Sequence, residues 1–487
     1  MRIAIVHYHL HPGGVTRVIE HAVTALHAQG FETVILSGEP LAEGTGLPGP
    51  VRVLDSLGYE AQRRACTPAE LAAELIHTAR DALGAAPDLW HIHNHCLGKN
   101  LALPGALAEL SRGGQRLLLQ IHDFPEDGRP AIYRRLLETV GNGDNVRLVA
   151  SLYPQAGHIH YAVLNGRDYG IMARAGIPRN RLHSLPNPVR AAAEPDTART
   201  SAPTGQQRLW LYPTRAIRRK NLGEFLLWSA MAEPEDRFAT TLGPMNPAER
   251  PRYERWRRFA QSLQLPVSFE VGARPGASFP ELLRSAHSLV TTSVAEGFGM
   301  AFLEPWLAGR SIAGRDLPEI THEFEDAGIE LGHLYERLEV PLDWIGAVTL
   351  RDKAQAGLQH SLTAYGRQPG AADVERTLNA WLRDDRVDFG RLDELMQERI
   401  IERITDSPAT CSELSPARLP DTSSDAAMLA RNRTAALEGY GIEHYGRQLS
   451  GIYRRVAASP VETPDALDGD ALLDQFLDPA RLFLLRT

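Results

Sequence analysis

Two glutamates, Glu296 and Glu304, stand eight residues apart in TTSVAEGFGMAFLEPWLAG, with Gly297, Phe298 and Gly299 after the first and a helix expected to begin near Met300. The apolar run HSLVTTS precedes them, so Glu296 falls where a strand should end. In a parallel sheet this is the end at which ligands bind. Glycines there let backbone N–H groups approach an oxygen-rich ligand closely, and a helix N-terminus favours phosphate. Glu304, about one turn into the helix, could lean back and accept hydrogen bonds from ribose hydroxyls. The plainer alternative is a solvated glutamate at a helix start, stabilised by the dipole.

A second constellation lies upstream in LYPTRAIRRKNLGEFL, where Arg215 and Lys220 are five residues apart and Asn221 opens a helix. Two cations at a strand-to-helix turn suit a diphosphate, because arginine grips bidentately and lysine acts as a point charge. Arg218 and Arg219 are read as additional, solvated cations.

The first residues raise a choice between chemistries. HYHLHPGG carries His7, His9 and His11 at alternate positions and then Gly13 and Gly14; WHIHNHC carries His91, His93 and His95 beside Cys96. Alternate residues of a strand share one face, so either triplet could converge on a metal. Each triplet nevertheless runs off a strand end into a loop, and neither CxxC nor HExxH occurs. No metal site is therefore expected, and some of these histidines should line a polar cleft while others are packed. The DGD triplet at 468–470 is read as a solvated loop.

These residues need a frame to hold them. The chain has 487 residues, 43% apolar and 23% charged, enough for two large domains or three smaller ones. Its net charge of -8, without long blocks of either sign, argues against a nucleic-acid partner. Three dispersed cysteines favour a reducing compartment. The opening run RIAIVHY has only a strand's length and does not read as a signal peptide, and no window is long and apolar enough to span a membrane. A cytoplasmic location is expected, with a peripheral membrane contact left open.

RIAIVHY, ETVILSG, LWHIHN, RLLLQIH, VRLVASL and HYAVLN read as strands, with TRVIEHAVTALHAQG and AELAAELIHTARDALG as helices among them. After LPNPV the composition turns to Ala, Thr, Pro and Ser over 191–207, a linker. The rhythm restarts with RLWLYPT, FATTLG, VSFEVG and HSLVTTS as strands and NLGEFLLWSAM, ELLRSA and MAFLEPWLAG as helices. Beyond about residue 320 the chain reads as mostly helical. Strands alternating with helices indicate α/β units with parallel sheets covered on both faces.

In this order, AEGFGMAFLE, the Arg215–Lys220 turn, LPNPV with Asn187, and the Gly13–Gly14 turn resemble the retaining glycosyltransferases of family four. The resemblance implies the GT-B fold, two facing Rossmann-like domains, here with a helical extension in the C-terminal half. The implied boundaries are 1–190 for an acceptor-side domain and 208–430 for a nucleotide-sugar-binding domain with an insertion from about 320. A closing helix over 431–458, which crosses back to the first domain, and an acidic tail over 459–487 complete the chain.

The implied activity is transfer of a sugar, a hexose, from a nucleotide-diphosphate donor to an acceptor hydroxyl with retention. Attack would come on the face of departure, the leaving phosphate oxygen helping to take the proton. Arg215 and Lys220 would hold the diphosphate, Glu304 the ribose and Glu296 the donor sugar. Asn221, Gly297, Phe298, Gly299 and Met300 would complete the donor site, and Gly13, Gly14 and Val15 would face the phosphates. His122, in LLLQIHDFPED, would line the pocket near the transferred sugar and hydrogen-bond a hydroxyl or shuttle a proton; Asp123 would orient the acceptor or the imidazole tautomer, the bland alternative being a turn cap.

No cofactor or essential metal is implied beyond the nucleotide sugar, and the acceptor, whether small molecule, glycan or lipid-linked, is left open, as is the oligomeric state. Alternative readings are a GT-B epimerase or phosphorylase, or a non-catalytic nucleotide-sugar-binding protein. The segment RDLPEITHEFEDAGIELGHLYERLEVPLDW departs from the pattern, replacing its short glycine-rich loop.

Overall fold

A computed structural model describes residues 1–41, 47–190 and 207–487. The linker expected over 191–207 lies outside the described residues except for its last one. The chain forms two compact units, Met1–Pro188 with Tyr440–Leu477, and Val189–Gly439 with Asp478–Thr487.

The first unit is built on seven parallel strands: β1 (Arg2–His7), β2 (Glu32–Ser37), β3 (Val51–Val53), β4 (Leu89–His93), β5 (Leu117–Ile121), β7 (Ile159–Val163) and β8 (Leu182–Ser184). Their order is β3-β2-β1-β4-β5-β7-β8. The strands of the middle are buried throughout, as their largely apolar runs require when both faces are covered, with His91, His93, Gln120 and His160 buried among them. Helix Gly14–His27 buries Val18, Ile19, Ala22, Val23 and Leu26 at three- and four-residue spacing. These side chains share a core with Tyr445, Leu449, Ile452 and Tyr453 of helix Ile442–Ala458.

Two readings of this unit are corrected. VRLVASL is not a strand: Asn145–Leu152 is a helix, because Asp144 caps it by accepting from the backbone N–H groups of Val146 and Arg147, and Leu148, Val149 and Leu152 fall on one helical face. The DGD triplet is no solvated loop. Asp468 caps helix Gly469–Phe476 by accepting from Ala471 N, and Leu472 and Leu473 bury that helix. Just before it, β17 (Asp465–Ala466) pairs antiparallel with β6 (Pro154–Gln155).

Burial in this unit has a consequence for pH. Glu126, on the loop after β5, is 2% exposed and accepts a hydrogen bond from the Tyr153 hydroxyl at 2.8 Å. Burial pushes its carboxyl from an ordinary 4.5 up to about 7. With the folded value raised, its contribution to stability is fully present below about pH 4.5 and is lost as pH rises through 7, about 3 kcal/mol in all. Glu126→Gln keeps the acceptor for Tyr153 and removes the charge. It should match the parent near pH 4 and exceed it at pH 8, measured by urea unfolding at the two pH values.

The second unit carries five parallel strands: β9 (Arg208–Arg215), β10 (Asp236–Leu242), β11 (Val267–Ser268), β12 (Ser288–Thr291) and β13 (Ser311–Gly314), in the order β11-β10-β9-β12-β13. Only the first two residues of VSFEVG are strand; Glu270 follows with φ 55° and turns the chain. The stretch beyond residue 320 is helical, as at Ala347–Ala364, Asp373–Trp381, Glu394–Asp406 and Ala426–Tyr440. It also holds a small antiparallel sheet, β14 (Glu339–Pro341), β16 (Arg386–Asp388) and β15 (Leu382–Arg383), which the helical reading missed. No helix among the described residues is long and apolar enough to cross a membrane.

Candidate active site

In the second unit, Arg215 ends β9 with its side chain exposed and without a hydrogen bond or ion pair among the described residues. The chain then makes a 3₁₀ turn, Arg218–Lys220, stitched to the end of β12. Tyr212 Oη and Thr292 Oγ1 each donate to Lys220 O at 3.0 Å, and Val294 N donates to Arg219 O. With its backbone so held, Lys220 projects its ammonium onto Glu296, and the two form an ion pair. Glu296 is 8% exposed. Burial pushes its carboxyl up, but the charges of Lys220 and Arg219 and hydrogen bonds from Lys220 and Ser293 outweigh it and hold the group below the ordinary range.

The surrounding residues divide between the site and the fold. Arg218, expected as a solvated cation, is a structural residue: it grips Glu394 through Nε at 2.5 Å and Nη2 at 2.8 Å and donates to Thr487 O. Asn221, expected among the donor-binding residues, also turns inward. It is 1% exposed, donates to Glu224 Oε2 at 2.7 Å and accepts from Gln397 Nε2 at 2.9 Å. Its φ of 50° shapes the turn, a conformation asparagine tolerates better than most residues. The side chain of Phe298 is packed, 5% exposed and edge-on to Phe324 at 5.6 Å, so it too supports the loop instead of lining an open surface.

Gly299 is required by the fold, since its φ is 93° and a Cβ would stand 2.9 Å from Ile320 Cγ2. The helix expected from Met300 is shorter than its sequence suggests: a 3₁₀ turn, Met300–Phe302, precedes Glu304–Leu307, so Glu304 begins the α-helical turn instead of lying one turn into it. Gly297, Met300 and Glu304 are half-buried.

Behind this surface lies a cluster that the sequence reading missed. Arg315 Nη2 stands 2.6 Å from Glu224 Oε2 and 2.8 Å from Asp388 Oδ1, and the three side chains are at most 4% exposed. Tyr335 Oη also donates to Glu224 at 2.8 Å. Through Glu224 this network reaches Asn221, next to Lys220. A glutamate in the first turn of an apolar helix and an arginine after a strand are unremarkable separately; only their joint burial marks them.

In the first unit, Gly13 caps helix Gly14–His27 with extended backbone, which any residue adopts. A Cβ at Gly13 would meet only His11 O, at 3.7 Å, and one at Gly14 would meet nothing within 4 Å. Packing therefore does not demand these glycines, and their place at the head of a fourteen-residue helix leaves backbone N–H groups open to approach. Val15 packs partly against the core.

His122 and Asp123 follow β5, and Asn94 Oδ1 accepts from both backbone N–H groups, at 2.8 and 3.1 Å. The Asp123 carboxylate pairs with Arg129 and is not the orienting partner of the imidazole. That partner is His93, whose Nδ1 lies 2.9 Å from His122 Nε2 with the rings stacked at 27°. Alternation along β4 put His91 and His93 on one face; what local pattern could not supply is that β5 lies beside β4, with His93 opposite Gln120.

The other histidines have separate partners: His9 with Tyr59, His11 with Glu39, His91 with Tyr453 and Gln120, His95 with Leu152 O. Among the described residues no three His, Cys, Asp or Glu side chains are grouped to hold a metal. Asn187 Oδ1 is buried without a hydrogen-bond partner among the described residues.

No protein-family model matches the chain. It is 27% identical over 368 residues to the mannosylglucosyl-3-phosphoglycerate synthase of Petrotoga mobilis, a span of 69% of each protein. Among solved structures, Anabaena HepE in complex with UDP and glucose is similar with a TM-score of 0.54 at 14% identity, covering 93% of this chain and 98% of that one. Sucrose-phosphate synthase from Thermosynechococcus elongatus is similar with a TM-score of 0.51 at 15% identity, covering 93% and 98%. The similarity to these solved structures shows the fold, GT-B with two Rossmann-like units.

Proposed function

We propose that the chain moves a hexose from a nucleotide-diphosphate sugar to an acceptor hydroxyl with retention of anomeric configuration, as the family-four resemblance implies. The observation that carries this reading is the unpartnered Arg215 at the end of β9 together with the Lys220–Glu296 pair at the following turn. Both cations sit at the carboxyl end of a parallel sheet, where α/β units bind ligands.

Arg215 grips the diphosphate bidentately, and Lys220 exchanges its carboxylate partner for phosphate oxygen, releasing Glu296 to accept hydrogen bonds from the sugar. The charge that develops on the leaving diphosphate is thus met by fixed cations, and catalysis is chiefly electrostatic and positional. Glu304 holds the ribose, and the amides at Gly13, Gly14 and Val15 face phosphate oxygens. His122 contacts the transferred sugar. No metal or cofactor takes part, and the leaving phosphate oxygen receives the acceptor proton.

The UDP and glucose bound by HepE and the product named for the Petrotoga synthase support starting with hexose donors and with acceptors that include phosphoglycerate-bearing glycosides. A panel of UDP-, GDP- and ADP-hexoses, followed by nucleoside diphosphate release with and without such acceptors, tests the reading. Acceptor-dependent release with one donor and a product of unchanged anomeric configuration is expected. Release from no donor overturns transfer, and an inverted product overturns retention.

A further inference from the structure

The His93–His122 pair specifies more than a contact. His93 is fully buried, and its Nε2 has no hydrogen-bond partner among the described residues. Its Nδ1 faces His122 Nε2 at 2.9 Å, so a single proton must lie between the two nitrogens.

Two arrangements satisfy that bond. If His122 donated from Nε2, neutral His93 would carry its own proton on its Nε2, a sealed N–H with no acceptor. If His93 donates from Nδ1, its Nε2 is a bare lone pair. An orphaned buried donor is the rarer of the two, because a buried N–H left without an acceptor forfeits its hydration with nothing in return. The second arrangement therefore prevails, and the remaining proton of neutral His122 sits on Nδ1.

Both rings are neutral at ordinary pH, since burial moves His122 down to about 3 and His93 well below its ordinary value. The neighbouring groups on the same face do not reverse this. His91 is itself pushed down to about 4 by burial, and the likewise buried His7 lies against the His93 carbonyl at 3.4 Å. The Asp123 carboxylate, which could have drawn the proton elsewhere, is paired with Arg129. His122 keeps a 7% opening to the exterior, and Nδ1 is the polar ring atom not engaged with His93.

We infer that His93 is a positioning residue that locks His122 in its Nδ1–H tautomer, so that His122 meets the sugar as a hydrogen-bond donor and not as a base. The inference rests on the sugar-contact reading of His122 and deepens it: of the two roles open to this imidazole, proton shuttle and hydroxyl recognition, only recognition survives. The hydroxyl bonded to His122 accepts through its oxygen. An imidazole that donates to a buried hydroxyl also selects against hexoses lacking that hydroxyl.

The tautomer is read directly on the full chain, without nucleotide, from two-bond nitrogen–proton correlations of the protein labelled with ¹⁵N-histidine. Signals are assigned by their loss in His93→Asn and in His122→Gln. At pH 7 both His93 and His122 should be Nδ1-protonated. His93→Asn places an amide N–H where Nδ1–H stood and should keep His122 Nδ1-protonated, whereas His93→Leu should lose that signal in favour of the Nε2–H form preferred by free imidazole side chains.

Nε2-protonated His122 in the parent protein overturns the inference, as does retention of its Nδ1–H form in His93→Leu. The parent measurement decides the matter even where a variant does not fold. Because no donor is present, this result is independent of the donor panel, and failure of sugar transfer would be a separate finding.

Discussion

Replacing Arg315 by methionine should destabilise the second unit by about 3–5 kcal/mol, a large share of the total for a domain. The guanidinium is 3% exposed and is the cation that two buried carboxylates share, Glu224 at 0% and Asp388 at 4% side-chain exposure. It also donates to Glu336 O at 2.9 Å. Burial would push Asp388 up, yet the charge and hydrogen bonds of Arg315 hold it below the ordinary aspartate range. Removing that charge strands two carboxylates in a dry interior, and the penalty is their desolvation, not the loss of a surface attraction.

The pH dependence fixes the sign. In the parent, the depressed Asp388 contributes stability that is present above its unfolded value near 3.8 and is lost as pH falls through the lower folded value. In the variant the stranded carboxylates have raised values, so its deficit should shrink as pH falls and they protonate. Urea unfolding at pH 7 and pH 5 measures both quantities. A loss below about 1 kcal/mol at pH 7 would mean that the cluster contributes as a surface pair does.

Lys220→Ala should lower the turnover of donor by about 10²–10³-fold, the usual cost of removing one preorganised group aimed at developing charge. It should also change what the pH profile of stability reports. In the parent, Glu296 is depressed, so its contribution is present above about 4.5 and lost below, as pH falls through the folded value. Without Lys220, burial acts on Glu296 with only the charge of Arg219 and the hydrogen bond from Ser293 opposing it, and the carboxyl moves up. The variant should therefore gain stability relative to the parent as pH is lowered from 7 to 4. Lys220→Arg keeps the charge but not the compact ammonium geometry, and should restore the stability profile more fully than the rate. Unchanged turnover in Lys220→Ala would remove the diphosphate role from this turn.

Local pattern carried much of this protein. Largely apolar runs at β1, β4, β5 and β9 named the parallel strands, because both faces of a central parallel strand are covered. Turn chemistry located Arg215 at a strand end and Lys220 and Glu296 in the turns that follow β9 and β12, since a strand that stops and a helix that starts leave their signatures within a few residues. Where local signals competed, tertiary packing decided: Asp144 made a helix of VRLVASL, and the α-helical turn after Met300 shrank to Glu304–Leu307.

What the sequence alone determined was therefore the kind of unit and the candidates for its chemistry. Which candidates are tied into the fold, and which meet one another at the turn, was a matter for the tertiary structure. Arg218, Asn221 and Phe298 share a motif with Arg215, Lys220 and Glu296, yet they are engaged by Glu394, Gln397 and Phe324. The Arg315 cluster joins positions 224, 315 and 388, and the imidazole pair joins 93 and 122. Such partners meet through strand order and helix docking, which bring together residues separated by tens of positions, whereas the periodicities of a sequence extend over only a few.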